Sequence, residues 1–135
     1  MVKEAIAELM RTDVELSALL PGGVYAVAEI NRTMAAPKPF DAVGRVQPCA
    51  LVRNEVSVAA GPRGRFQRQF VVIFFYDYAG YEAINEAMSR TRALLHEHRI
   101  GNGAYQIRFV DSVDDQYDDG ILAYMHRARF EAVRG

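Results

Sequence analysis

The chain has little of what marks a secreted, membrane-spanning or nucleic-acid-binding protein. Its single cysteine, Cys49, cannot form an internal disulfide, and no basic start joined to an uninterrupted apolar core marks a secretion signal. The longest uncharged apolar stretch, Phe70 to Tyr76, falls short of the roughly 18 to 20 residues of a membrane span. We therefore expect a protein that folds in the reducing cytoplasm and has no membrane partner.

An excess of charge of one sign is also missing. The chain carries 16 basic and 17 acidic side chains, for a formal net charge of −1, so no global field attracts nucleic acid. An apolar fraction of 50% is that of a folded globular chain. The length of 135 residues suits one domain over residues 1–135.

Three- and four-residue spacing of apolar residues predicts amphipathic helices. The first begins at Val2. A second, short helix is expected to begin at Thr12, because Thr12 and Glu15 have the spacing of a capping box. The longest predicted helix covers Tyr81 to His98.

Alternation of apolar and polar residues predicts the strands. A run after Pro48 and a run over Phe66 to Tyr78 flank a turn rich in glycine and arginine, so we expect a long β-hairpin, with Asn54 marking a bulge. The other predicted strands are Val24–Ile30, Tyr105–Phe109 and Leu122–Ala132.

The predicted fold is α+β, with a curved antiparallel sheet of four to five strands and two to three helices packed on one face. The unbroken apolar run Phe70 to Tyr76 needs both faces covered, whereas helices on one side cover only one. We expect something else to cover the second face, and another subunit is one candidate. Residues 31–47 have two prolines and no period and are interpreted as a loop or an extended arm.

No arrangement of residues points to catalysis, a cofactor or a metal site. Cys49 has no basic neighbour in sequence that would lower the pKa of its thiol. His96 and His98 would lie about 200° apart on a helix and would not share a metal there.

Two clusters of charge are candidate interaction surfaces. An aspartate-rich segment between the last two strands lacks the spacing of a calcium-binding EF-hand, and is interpreted as a solvated loop, a weak cation site or a contact for a basic partner. The hairpin is basic, which suits solubilising charge, a protein contact or nucleic-acid phosphates. The candidate interface residues are Arg53, Arg63, Arg65, Arg68, Phe70, Asp114, Asp115, Asp118 and Asp119.

Short motifs in a particular order give the sequence a family resemblance. They are Asp13–Leu20 running into Gly23-Val24-Tyr25, then Phe74-Phe75-Tyr76-Asp77, Gly80-Tyr81-Glu82-Ala83-Ile84 and Leu94-Leu95-His96. Their order and spacing resemble the tail terminator, or tail-completion, proteins, a head–tail joining family of long-tailed phages and gene-transfer particles. The resemblance covers nearly the whole chain.

The resemblance implies a structural virion protein without enzymatic activity or cofactor. It implies a ring, typically of six subunits, that caps the tail tube, ends its growth and offers the head connector or stopper protein a docking surface, while DNA passes through the lumen without sequence-specific binding. Such a protein is assembled in the host cytoplasm and is located in the tail or neck of the finished virion. Residues 31–46 do not match, which leaves a neck adaptor or stopper as an alternative.

A third interpretation is a small-ligand-binding α+β domain or an enzyme. Its pocket would be lined by Tyr25, Tyr76, Tyr124 and His126. Against it, no pair of titratable groups has a recognisable catalytic spacing, and tyrosines on strands are commonly core residues.

Overall fold

The computed structural model describes residues 2–27, 39–60 and 66–134. The elements in chain order are α1 (Val2–Thr12), α2 (Val14–Leu19), β1 (Val24–Tyr25), β2 (Cys49–Ala60), β3 (Phe66–Asp77), α3 (Glu82–Leu95), β4 (Arg99–Ile100), β5 (Tyr105–Asp118) and β6 (Ala123–Arg134). No described helix is both long and apolar enough to cross a lipid bilayer.

The strands form one six-stranded sheet in the order β1-β2-β3-β6-β5-β4. The prediction of an α+β fold and of a long β2–β3 hairpin is confirmed, and so is the irregularity at Asn54, where the β2–β3 register shifts. The sheet is mixed rather than antiparallel, because the strand predicted from Val24, here β1, runs parallel to β2. This strand ends at Tyr25 rather than at Ile30, and residues 28–30 lie outside the described residues. The sheet has six strands because β4 adds an edge, and a strand of two residues is too short to show alternation in a sequence.

The three helices lie on one face of the sheet, as predicted. Val71, Ile73 and Phe75 alternate along β3 and are fully buried in the same core as Ile6 of α1 and Ile84 of α3. The two-residue period of the strand sends these side chains to the helix side. The opposite side is called the helix-free face below.

The helix-free face is covered in part by the chain itself. Phe40 and Val46 form a bridge and pack with Leu51 and Tyr76 in a second, smaller core. The expectation that something besides the helices covers the second face is confirmed at this end of β3, where the cover is the chain's own loop rather than another subunit. The described part of the predicted arm, residues 39–47, folds back as a compact loop, and residues 28–38 lie outside the described residues.

Strand β5 runs well past the predicted end at Phe109, so most of the acidic segment is strand rather than loop, whereas β6 nearly matches its prediction. Asp114, Asp115 and Asp118 lie within β5, and Asp119 lies in the turn that follows. The β5–β6 register shifts between Phe109 and Asp111 and between Val113 and Gln116. Such bulges interrupt the two-residue alternation, which hid the outer half of this strand in the sequence.

Helix α2 is capped by Asp13 rather than by Thr12. The Asp13 carboxylate accepts a hydrogen bond from Leu16 N at 3.1 Å, whereas the Thr12 hydroxyl donates to carbonyl oxygens of α1. Asp13 also accepts two hydrogen bonds from Arg90 of α3, at 2.7 and 3.0 Å. The hydrogen bonds from Arg90 hold the pKa of Asp13 below its ordinary value. One carboxylate thus caps α2 and joins it to α3.

We expect Asp13→Ala to lower the free energy of unfolding by about 1–3 kcal/mol, because it removes a helix cap and a charged hydrogen-bond partner. Asp13→Asn keeps the cap and should cost less. A lowered pKa stabilises the fold above the ordinary aspartate pKa, so the gap between wild type and Asp13→Asn should shrink as pH falls below about 4. Urea unfolding at several pH values measures this, with Glu8→Ala, which breaks an exposed pair with Arg11, as the near-neutral control.

Candidate assembly surface on the helix-free face

Three of the predicted interface residues lie on the helix-free face beyond the covering loop. Arg68 and Phe70 are half-buried on β3, and Arg53 is exposed on β2 directly opposite Val72. Strand alternation places them on the side away from the helices. Arg63 and Arg65 lie outside the described residues.

Phe70 lies under two arginines. The guanidinium carbons of Arg68 and Arg129 are each 5.4 Å from the centre of its ring. Arg68 also donates to Glu131 on the neighbouring strand, with 2.9 Å between Nε and the carboxylate. Cation–π contact and ion pairing thus hold Arg68 within the subunit, which leaves it less available to a partner.

Arg129 bridges three strands of this face. Its two terminal nitrogens donate to Asp111 of β5 at 2.7 Å and to Glu55 of β2 at 3.4 Å. The hydrogen bond to Asp111, followed by the charges of both carboxylates, raises the pKa of Arg129 above its ordinary value. This ion-pair network covers Val72, which is buried between Arg53 and Arg129 in the strand register.

Phe74 also lies between two arginines, but these arginines differ from those beside Phe70 in having no ion-pair partner among the described residues. Its ring is half-buried, Arg53 lies 5.8 Å from the ring centre, and Arg127 is its direct neighbour on β6. Arg53 and Arg127 are both exposed, and neither forms an ion pair with any residue that the structure describes. We call Phe74, Arg53 and Arg127 the arginine slot. It offers an apolar surface bordered by two cations.

The acidic candidates lie at one end of the β5–β6 hairpin. Asp114, Asp115 and Asp119 are exposed, and Asp118 accepts a hydrogen bond from Gly120 N at 2.8 Å. Within the described ranges, no group of three or more His, Cys, Asp or Glu residues is arranged to hold a metal ion.

The bulge in β5 is supported from the helix side of the sheet. Asp115 has a positive φ of 55°, and its N–H donates to Nδ1 of buried His126 at 3.1 Å. The His126 ring stacks on Tyr81, whose hydroxyl donates to Gln116 O at 2.9 Å. These contacts give His126 and Tyr81 structural roles at the base of the acidic end.

Arg68 and Asp118 lie towards opposite ends of the sheet, whereas Arg53 lies near its middle, opposite Val72. Arg68 pairs with Val133 near the end of β6, and Asp118 pairs with Ala123 at its start. At about 3.3 Å per strand residue, Arg68 and Asp118 are roughly 30 Å apart. The structure therefore does not bring these two residues together within one subunit.

The four residues of the proposed ligand pocket also do not share a site. Tyr25 and Tyr76 pack against the small core on the helix-free face. Tyr124 and His126 contact Tyr81 on the helix side, with ring centres 4.9 and 5.1 Å away. The sheet separates the two pairs, so the predicted pocket was wrong.

Sequence reasoning missed Arg127, Arg129 and Glu131 as members of this surface. In the sequence they are simply the charged, alternating positions of the predicted strand Leu122–Ala132. Their relation to Phe70 and Phe74 depends on the β3–β6 register, which pairs strands about 60 positions apart in sequence. A local pattern contains no signal for that register.

An open cleft of about 370 Å³ lies on the helix side of the sheet, between the end of α2 and the start of α3. Asp77, Glu82 and Glu86 are among its lining residues. Asp77 is buried, which raises the pKa of its carboxyl group, while a hydrogen bond from Ala79 N opposes the shift. The acidic lining disfavours anionic ligands, including phosphates.

We expect Asp77→Asn to raise the free energy of unfolding at neutral pH. A raised pKa means that the fold disfavours the charged carboxylate, so stability is lost as pH rises above the ordinary aspartate pKa. Asparagine keeps an acceptor for Ala79 N without the charge. Urea unfolding should show the gain at pH 7.5 and a smaller gain at pH 4.5. Lower stability of the variant at both values would contradict this interpretation.

Comparison with known proteins identifies a similar fold. The structure matches a chain from a solved structure titled "Virion of native gene transfer agent (GTA) particle", with a TM-score of 0.66 and 16% sequence identity. The match covers 99% of this chain and 95% of that chain. No protein-family model and no curated protein matches the sequence. At this identity the comparison shows that the two chains share a fold over nearly their whole lengths.

Proposed function

We propose that this chain is a structural, non-enzymatic virion protein that forms a ring at the head-proximal end of a phage-like tail. The ring ends growth of the tail tube and joins the tail to the head connector. The observation that carries the proposal is the full-length fold similarity to a chain of a gene transfer agent virion. The order of motifs in the sequence, which resembles tail terminators, supports the same position in the particle.

The helix-free face supports assembly rather than catalysis. It presents half-buried aromatic rings beneath arginines, an arrangement enriched at protein interfaces. Different charges at the two ends of the sheet favour a head-to-tail contact between copies, in which two unlike patches meet. A head-to-tail contact with the right rotation closes into a ring, and we propose six subunits.

The proposed partners are further copies of the chain, the tail tube protein and the head connector or stopper protein. DNA would pass through the lumen without sequence-specific contact. With a formal net charge of −1, the chain has no general attraction for the DNA backbone that would hinder passage. Arg53, Arg63, Arg65, Arg68 and Phe70 on one side, and Asp114, Asp115, Asp118 and Asp119 on the other, remain the proposed contact residues.

Addition of the purified protein to growing tail tubes tests the proposal. We expect tubes to stop elongating and to carry extra density at one end in electron micrographs, because a terminator binds the tube end. Light scattering should show a species of about six times the 15.1 kDa subunit mass, alone or with tubes. Heat-unfolded protein at the same concentration is the control.

Two results separate the alternatives. Binding to filled heads but not to tubes would indicate the neck adaptor or stopper instead. Failure to bind either particle would contradict a role in joining head to tail.

A further inference from the structure

The turn between β5 and β6 has an unusual residue at an unusual backbone angle. Leu122 has a φ of +53°, and 67% of its surface is exposed. The left-handed region disfavours side chains with a Cβ atom, and glycine or asparagine is the usual residue there. The turn contains a glycine, Gly120, but the described positive φ in the turn falls on Leu122.

Within the subunit, this leucine contributes little. The adjacent Ile121 packs against the small core of the helix-free face, while Leu122 extends into solvent. An exposed leucine in a strained conformation lowers the stability of the monomer without covering other apolar surface. Strain of this kind concentrates at functional positions.

The surroundings of Leu122 define the chemistry of its partner. Asp118 ends β5 beside this turn, Asp119 lies in the turn, and Tyr117 on β5 is about half exposed. We call Leu122, Asp118 and Asp119 the acidic tip. It presents one apolar side chain beside two negative charges, and therefore fits an apolar surface bordered by cations.

The arginine slot has that complementary chemistry. Phe74 supplies a half-buried aromatic ring, and Arg53 and Arg127 supply two exposed guanidinium groups without ion-pair partners in the described parts of the chain. The other arginines of this face, Arg68 and Arg129, are already paired with carboxylates of their own subunit. Among the described residues, the slot is thus the part of the face whose arginines have no ion-pair partner.

We propose that the acidic tip of one copy docks in the arginine slot of the next copy. Leu122 packs on Phe74, and Asp118 and Asp119 pair with Arg53 and Arg127. Because tip and slot are different patches of one chain, the contact is head-to-tail and leaves a free tip and a free slot for further copies. This inference rests on the proposed function, since it names the contact through which the ring forms.

The substitution Leu122→Asn separates folding from docking. Asparagine tolerates the left-handed conformation, so the melting temperature should stay the same or rise. Loss of a buried leucine should weaken self-association at least about tenfold, measured by sedimentation velocity over a range of concentrations. Val14→Asn is the matched control, because Val14 is 83% exposed on α2 and lies outside both patches, and it should associate like wild type.

A mixing experiment tests the direction of the contact. The Arg53→Glu/Arg127→Glu double variant keeps an intact tip, and Leu122→Asn keeps an intact slot. Each alone should be monomeric at concentrations where wild type associates, and an equimolar mixture should form a one-to-one dimer through the single intact contact. Arg53→Gln/Arg127→Gln serves as a second slot variant if the charge reversals disturb folding.

Three outcomes would overturn the inference: a wild type that stays monomeric up to millimolar concentration, a Leu122→Asn variant that associates like wild type, or a mixture that remains monomeric. Each differs from failure of the proposed function. Rings formed by Leu122→Asn would refute the tip contact and leave the ring intact, whereas wild-type protein that ignores tail tubes and heads would refute the role in the particle.

Discussion

Burial of both faces of β3 is the constraint on which the rest of the structure depends. The strand is apolar on both sides from Val71 to Tyr76, so it cannot lie at an edge or on an open surface. It lies between β2 and β6, with the helices on one side and the 39–47 loop on part of the other. The helices, the 39–47 loop and the neighbouring strands β2 and β6 each cover part of this strand.

Charged side chains cover the part of β3 that lies beyond the 39–47 loop. Arg129 and its two carboxylates lie across Val72, and Arg68 lies across Phe70. Exposed ion pairs contribute little to stability, typically less than about 1 kcal/mol each. Their main effect is to fix which arginines are satisfied internally, and thus to distinguish Arg53 and Arg127 from the rest. On our proposal, these two arginines select the partner.

Much of this architecture could be predicted from the sequence, because it depends on local periodicity. The helix stripes, the long hairpin, the bulge at Asn54 and the helices on one face are all properties of spacing within single segments. The strand register was not accessible, since it depends on packing between residues far apart in sequence. Arg53 and Phe70 were identified as interface candidates because they belong to the hairpin. Arg127 was missed because only the β3–β6 register places it beside Phe74. The bulges in β5 concealed a strand for the same reason, as they break the alternation that a sequence can show.

The position of the acidic tip follows from the same register. The β5–β6 hairpin extends one residue pair past the end of β3, where Asp118 pairs with Ala123, and its turn therefore lies at the end of the sheet. Ile121 of this turn packs against the small core, whereas the neighbouring Leu122 is exposed. The arginine slot, in turn, stays open because the 39–47 loop packs over Leu51 and Tyr76 and leaves Phe74 half-buried. Among the residues that the structure describes, one sheet register therefore leaves two complementary patches exposed, and on our proposal identical copies carrying two such unlike patches satisfy both by associating head to tail.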